Sequence, residues 1–118
     1  MLVQTLGQPR PTRTDDPVFL GDVTFRQLIT PDQAQLIRVL EVTFQPGGKT
    51  KWHHHECDQL LVVTAGHGRV GTREESFDVR AGDVVFIPSG EQHFHGAQDD
   101  TTMTHISVLT PGDEIIDE

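Results

Sequence analysis

The apolar residues of this chain fall into short runs, and this pattern restricts the fold more than any other feature. Each run has three to nine residues, is rich in Val, Ile, Phe and Thr, and is bounded by Gly, Pro or Asp. The runs are 18–20, 23–29, 36–44, 60–63, 84–87 and 103–109. Short apolar runs between turn residues are typical of strands. The sequence therefore predicts an all-β fold, either a sandwich or a barrel.

Glycine and proline place turns between these strands. The predicted turns lie at 46–48, 65–68, 81–83, 88–90 and 111–112, with His67 inside the second. The chain of 118 residues suits one compact domain. We expect an N-terminal arm at 1–16, a barrel at 17–112 and an acidic C-terminal tail at 113–118.

Charge and cysteine content narrow the classes of partner and compartment. A net charge of −9 disfavours nucleic acid, because the phosphate backbone would be repelled. The only cysteine, Cys57, allows no internal disulfide, and the first residues lack a basic segment followed by an apolar one. No apolar run approaches the roughly 20 residues of a membrane helix. The sequence predicts a cytoplasmic protein with no membrane partner.

Five of the seven histidines lie in two short blocks, 52–56 and 91–95. His53 and His55 are two residues apart, so on a strand both side chains leave the same face, whereas His54 points away towards the surface. Gln59 opens the next apolar strand, and His93 follows the turn at 88–90. These four residues, His53, His55, Gln59 and His93, are enough to hold one metal ion.

Two sequence motifs resemble those of the cupin family. The first motif runs Gly47, five residues, His53-His54-His55, three residues, Gln59, six residues, Gly66. The second runs Gly82, five residues, Pro88-Ser89-Gly90, two residues, His93. The chain departs from the family at Gln59, where the motif has Glu, and at Ala97, where it has Asn. The resemblance covers roughly residues 36–110.

The cupin resemblance implies a jelly-roll β-barrel in which residues at the positions of His53, His55, Gln59 and His93 ligate a divalent metal. One subgroup is especially similar: small bacterial cupins that include manganese-dependent hydroxynitrile lyases and carboxymuconolactone decarboxylase-like proteins. This subgroup makes manganese the expected metal. Iron, nickel, zinc and cobalt also suit imidazole and amide-oxygen ligands.

Three further polar residues are candidates for catalysis. His95 shares the parity of His93, and His105 lies on the last long strand, where Met103, His105, Ser107 and Leu109 share a face. Thr50 reaches the same cavity only if the strand before His53 is irregular. In the lyases, residues matching Thr50, His95 and His105 line the substrate site, and an amide stands where this chain has Leu109. The loss of this amide weakens the expected orientation of a cyanohydrin.

Three functions agree with this pattern, and an enzyme is favoured. The first is a metal-dependent lyase acting on a small oxygenated substrate, with the metal as Lewis acid and a nearby histidine as acid or base. The second is a metal-dependent dioxygenase of a chelating enol or diketone. The third is a non-catalytic cupin that binds a small ligand. We also expect a homo-oligomer, a dimer or a tetramer, because the N-terminal arm has no evident partner within one barrel.

Overall fold

The structure, a computed structural model, describes residues 1–117 and consists of strands, turns and irregular segments. In chain order the strands are β1 (Thr12–Arg13), β2 (Phe19–Leu20), β3 (Val23–Ile29), β4 (Arg38–Phe44), β5 (Lys49–Thr50), β6 (His53–His55), β7 (Gln59–Gly71), β8 (Ser76–Arg80), β9 (Val84–Ile87), β10 (Phe94–Ala97), β11 (Met103–Leu109) and β12 (Glu114–Ile116). The prediction of an all-β fold is confirmed. No helix within this part of the chain is long and apolar enough to cross a membrane.

Within residues 1–117, ten strands form one curled antiparallel sheet whose centre is β7, and β6 and β12 form a separate two-stranded sheet. The order along the sheet is β1-β3-β4-β11-β7-β10-β5-β2, with β8 and β9 also paired to β7. The first half of β7 pairs with β11 and β9, and its second half pairs with β10 and β8. A single 13-residue strand thereby connects both sides of the barrel.

The predicted turn at residues 65–68 is wrong, because these residues lie inside β7. The chain bends there without reversing: Gly66 has a φ of 69° and the pairing with β11 shifts register between Thr104 and His105. A Cβ on Gly66 would overlap the carbonyl oxygen of Thr102. A glycine is therefore needed for the bend, and the bend, not a turn, explains the glycine signal. His67 is an exposed residue of β7.

The core fills the closed end of the barrel with inward-facing apolar side chains. They are Val23, Val42, Phe44, Leu61, Val63, Val70, Val79, Ile87 and Met103. Phe44, Leu61 and Met103 are fully buried. The alternation on β11 continues from this core through His105 and Ser107, both buried, so the same face that packs the core also carries polar groups into the barrel.

The N-terminal arm packs on its own barrel. Gln4 donates through Nε2 to the Leu28 carbonyl, the Gly7 amide donates to Glu41, and β1 pairs with β3. The expectation that the arm lacks a partner within one chain is thus wrong. Little in the sequence indicated these contacts, because one partner is Glu41, a carboxylate that is buried on the outer face of β4 beside Arg26.

Candidate metal centre

Three histidines converge inside the barrel. His53 and His55 come from β6, and His93 precedes β10; all three are buried. Their ligand-capable nitrogens lie within 4.8 Å of one another. Backbone hydrogen bonds in both directions between His53 and His93, of 3.1 and 2.9 Å, fix the two chain segments side by side. The two histidines of the first motif and the histidine of the second motif thus meet at one point in space.

Backbone carbonyls orient two of these rings. The Nδ1 atom of His53 donates to the Lys51 carbonyl, and the Nδ1 atom of His93 donates to the Glu91 carbonyl, each at 2.8 Å. Since a carbonyl only accepts, Nδ1 carries the proton and Nε2 keeps its lone pair. The Nε2 atom of His93 is buried and has no hydrogen-bond partner. A ring with a buried, unpaired lone pair is suited to ligate a cation.

Gln59 completes this arrangement from the start of β7. Its Nε2 atom donates to the Ser107 hydroxyl at 2.8 Å, which directs the amide oxygen the other way. That oxygen, Oε1, is buried and has no hydrogen-bond partner. An unsatisfied buried acceptor is costly, and a cation would remove this cost. Three neutral imidazoles and an amide oxygen therefore fit a divalent transition metal.

Burial keeps the three histidines neutral near pH 7. Desolvation lowers the pKa of His53, His55 and His93 to about 4 in each case. Mutual repulsion adds to the effect, mainly from His55 on His53 and from His93 on His55. Neutral imidazole is the form that binds metal, so ligation does not have to displace a proton at this pH.

The C-terminal segment is part of the site. Strand β12 pairs with β6, which aligns Glu114 with His55 and Ile116 with His53. His54 points to the outer side, as predicted, where its Nδ1 atom lies 2.9 Å from the Asp117 carboxylate. The predicted acidic tail thus contributes a strand that holds the histidine strand in place; its last residue, Glu118, lies outside the described residues.

A second pair of histidines lies beside the first three. His95 on β10 and His105 on β11 are buried, and the Nε2 atom of His105 is 3.0 Å from the Nδ1 atom of His95. The remaining ring nitrogens, Nε2 of His95 and Nδ1 of His105, are buried without a partner. Desolvation lowers the pKa of His105 to about 4 and that of His95 well below its ordinary value, so both rings are neutral at pH 7.

Thr50 also faces the interior. It ends β5, and the break at residues 51–52 before β6 provides the irregularity that its inward orientation requires. Its hydroxyl is buried and accepts a hydrogen bond of 3.1 Å from the His95 amide. Thr50 thereby fixes the backbone from which the His95 ring projects.

Two cavities meet at His55. The inner one, about 70 Å³, is lined by His53, His55, Gln59, His95, His105 and Thr50 together with Val18, Phe19, Leu40, Val42 and Ser107. The outer one, about 360 Å³, opens at the end of the barrel between 31–38 and 109–114. Asp16, Arg38, His55, Leu109 and Glu114 line both. Ligand sites usually have volumes of about 300 Å³ or more, so the inner cavity accommodates only a small part of a substrate.

The structure brings together all seven residues singled out in the sequence: His53, His55, Gln59, His93, Thr50, His95 and His105. Sequence reasoning missed Ser107, Arg38, Asp16 and Glu114. Ser107 and Arg38 carried a signal, because each shares the inward parity of its strand. Asp16 and Glu114 carried none, since they come from segments whose path over the barrel opening depends on tertiary packing.

The cupin domain model matches residues 40–109, more than half of the chain. The chain belongs to the cupin family. It is 41% identical over 93 residues to an (R)-mandelonitrile lyase of Granulicella tundricola, covering 76% of this chain and 70% of that protein. An acireductone dioxygenase of Geobacillus thermodenitrificans is 29% identical over 91% of this chain, which spans only about half (54%) of that enzyme.

Solved cupins share the fold. A cupin-like protein of Thermotoga maritima superimposes with a TM-score of 0.82 and 33% identity, covering 88% of this chain and 84% of that one. The jelly-roll prediction and the resemblance to small cupins that include hydroxynitrile lyases are confirmed. The named relatives are enzymes, a lyase and a dioxygenase, which agrees with the preference for an enzyme of one of these two types.

Proposed function

We propose that this cupin is a divalent-metal-dependent lyase acting on a small oxygenated substrate, with manganese as the native metal. One observation carries the proposal: two of the three clustered histidines, the Gln59 amide with its unpaired oxygen and a second, hydrogen-bonded histidine pair line one small cavity, and His93 completes the cluster beside it. The similarity to an (R)-mandelonitrile lyase supports the reaction class, and manganese is the metal that the resemblance to hydroxynitrile-lyase cupins implies. Iron, nickel, zinc or cobalt would suit the same ligands.

His53, His55, His93 and Gln59 would hold the ion. A divalent metal there supplies Lewis-acid stabilisation of negative charge on a substrate oxygen. Because all four donors are neutral, the ligands themselves cancel none of the charge of the ion. The Ser107 hydroxyl fixes the Gln59 amide, and the carbonyls of Lys51 and Glu91 fix two rings, so the donor atoms are oriented before any substrate arrives.

The His95–His105 pair supplies the acid or base. Only one proton lies between the two rings, and it sits on either His105 Nε2 or His95 Nδ1. If the proton is on His105 Nε2, His105 presents a lone pair at Nδ1 and His95 presents a proton at Nε2. If the proton is on His95 Nδ1, His105 presents a proton at Nδ1 and His95 presents a lone pair at Nε2. A proton accepted at one end of this buried pair can therefore be returned at the other end. Thr50 holds His95 in position for this transfer.

Leu109 bears on the choice of substrate. It is buried and lines both cavities, and the resemblance to hydroxynitrile-lyase cupins implies an amide at this position. An apolar group there offers no hydrogen bond to a nitrile or hydroxyl. We therefore propose a small oxygenated substrate that is not restricted to cyanohydrins, to be found by screening hydroxynitriles, hydroxy acids and diketones with manganese- and iron-loaded protein.

A dioxygenase is the second candidate, because the acireductone dioxygenases align with 91% of this chain. Oxygen uptake separates the two functions. A lyase turns over its substrate without oxygen and at the same rate in air and under argon. Oxygen consumption in step with substrate loss would contradict the lyase and support the dioxygenase. A protein that binds ligands from the screen but converts none would support the non-catalytic alternative.

Replacing Gln59 with glutamate is expected to keep the metal and weaken anion binding. The carboxylate adds a negative charge beside the ion, which lowers its attraction for azide or cyanide by about tenfold or more. Azide titration followed by metal spectroscopy measures the change, with Gln27→Glu as a control, since Gln27 is exposed on β3. Unchanged azide affinity in Gln59→Glu would show that Gln59 does not lie beside the ion.

We also propose that the protein is a homo-oligomer in the cytoplasm. Phe77, Val84 and Phe86 form an exposed apolar face on β8 and β9, each more than half exposed. A patch of this kind on a small barrel is suited to a second copy. Light scattering gives the mass directly; a value near 13.1 kDa would contradict the proposal.

A further inference from the structure

Arg38 occupies an unusual position for a surface arginine. It begins β4 and shares the inward parity of Leu40, Val42 and Phe44, so its side chain lines both the inner and the outer cavity. Within residues 1–117 its guanidinium forms no ion pair within 4.0 Å and no side-chain hydrogen bond, although Asp16 and Glu114 line the same opening. Arg38 is exposed at this opening, so its guanidinium donors are available to a ligand that enters the outer cavity.

Strand pairing fixes the distance from Arg38 to the metal centre. Arg38 lies opposite Leu109, and Leu109 lies opposite Gln59, so the three residues form one row across β4, β11 and β7. Neighbouring strands are about 4.8 Å apart, which places the backbone of Arg38 about 10 Å from that of Gln59. Leu109 stands between them and offers an apolar surface.

The sizes of the two cavities favour a substrate that extends along this row of residues. The inner cavity holds little more than the reacting group, so the rest of a substrate must lie in the outer cavity of about 360 Å³. A substrate that reaches from Gln59 to Arg38 would place its carbon chain against Leu109 and its far end at the guanidinium. A planar guanidinium binds carboxylate with two parallel hydrogen bonds.

From this geometry we infer that Arg38 determines specificity for a substrate with a distal carboxylate, separated by a few carbon–carbon bonds from the hydroxyl or carbonyl group that reacts. The inference rests on the proposed function, because it takes the three-histidine cluster as the reacting end. Asp16 and Glu114 offset the charge of Arg38, so the opening does not raise the affinity for anions in general. A ligand gains affinity only when it contacts the guanidinium directly.

The test uses 4-oxopentanoate and its neutral methyl ester as probes, with affinities measured by isothermal titration calorimetry on manganese-loaded and metal-free protein. We expect the native protein to bind the acid about tenfold or more tightly than the ester, and Arg38→Gln to lose this preference. Arg38→Lys should retain part of it, because the charge remains while the paired hydrogen bonds are lost. Arg80→Gln is the control: Arg80 is exposed on β8, and the charge change is the same.

An Arg38→Gln protein that keeps the full acid preference would overturn the inference, as would a native protein with none. Circular dichroism and thermal unfolding check that Arg38→Gln folds, and Arg38→Lys gives the same comparison if it does not. The titrations of metal-free protein separate this result from the proposed function. A protein that binds no metal but still discriminates acid from ester through Arg38 refutes the metal enzyme alone, whereas a metal-loaded protein without the preference refutes the role of Arg38 alone.

Discussion

Replacing His105 with glutamine is expected to lower turnover about 100-fold or more while leaving the metal content unchanged. Glutamine nearly preserves the volume and can hydrogen-bond His95 Nδ1, but its amide does not exchange a proton near neutral pH. A positioned acid or base contributes typically 10²- to 10⁴-fold to rate. Because His105 lies outside the cluster of His53, His55 and His93, the loss should fall on kcat and not on metal binding.

The measurement is steady-state turnover of the fastest substrate found in the screen, with metal quantified in the same preparations. His67→Ala is the matched control, since His67 is an exposed histidine of β7. Unchanged turnover in His105→Gln, together with weaker ligand binding, would contradict catalysis by the histidine pair. It would instead assign His105 to ligand binding.

The metal-free protein is expected to lose stability steeply as the pH falls from 6.5 towards 4. Burial lowers the pKa of His53, His55, His93 and His105 to about 4 in the folded protein, against 6.5 in the unfolded chain, and lowers that of His95 as well. Between these values the unfolded chain takes up protons that the folded protein does not, so the free energy of unfolding decreases as pH decreases.

The effect is large because several buried histidines share it. Each histidine that stays neutral lowers the free energy of unfolding by about 1.4 kcal/mol per pH unit below 6.5. Because an unfolded histidine is only half protonated at pH 6.5, two such residues give a loss of about 3 kcal/mol between pH 6.5 and 5, and Glu114, whose pKa burial raises to about 7, offsets part of this loss. Urea denaturation of chelator-treated protein at several pH values measures it, and His67→Ala should show the same slope. Equal stability at pH 7 and pH 5 would contradict a cluster of buried neutral imidazoles.

Local sequence patterns predicted much of the fold and of the site, because both depend on which side chains share a face of a strand. Apolar runs with turn residues placed β3, β9 and β11 at their observed bounds, and the two-residue spacing of His53 and His55 put both rings on one face. The convergence of this strand with His93 came from the resemblance to cupin motifs. Nothing in the local sequence brings the two segments together.

Other features depend on the tertiary structure and escaped prediction. The glycines at 66 and 68 indicated a turn, whereas β7 bends through them because strands on both of its sides continue the pairing. The tail strand β12 exists because β6 offers it an edge, although the segment 113–118 that contains it is mostly acidic. Asp16 and Glu114 reach the cavity for the same reason: the packed barrel, and not their neighbours in sequence, determines where these segments lie.

Metal content tests the central claim most directly. Protein purified without a histidine tag from cells grown with added manganese or iron should contain close to one metal ion per chain by elemental analysis. His93→Ala should lose the metal, because it removes one of the three clustered ring nitrogens, while His67→Ala should keep it. Less than about 0.1 metal per chain in the native protein would contradict a metal-dependent enzyme.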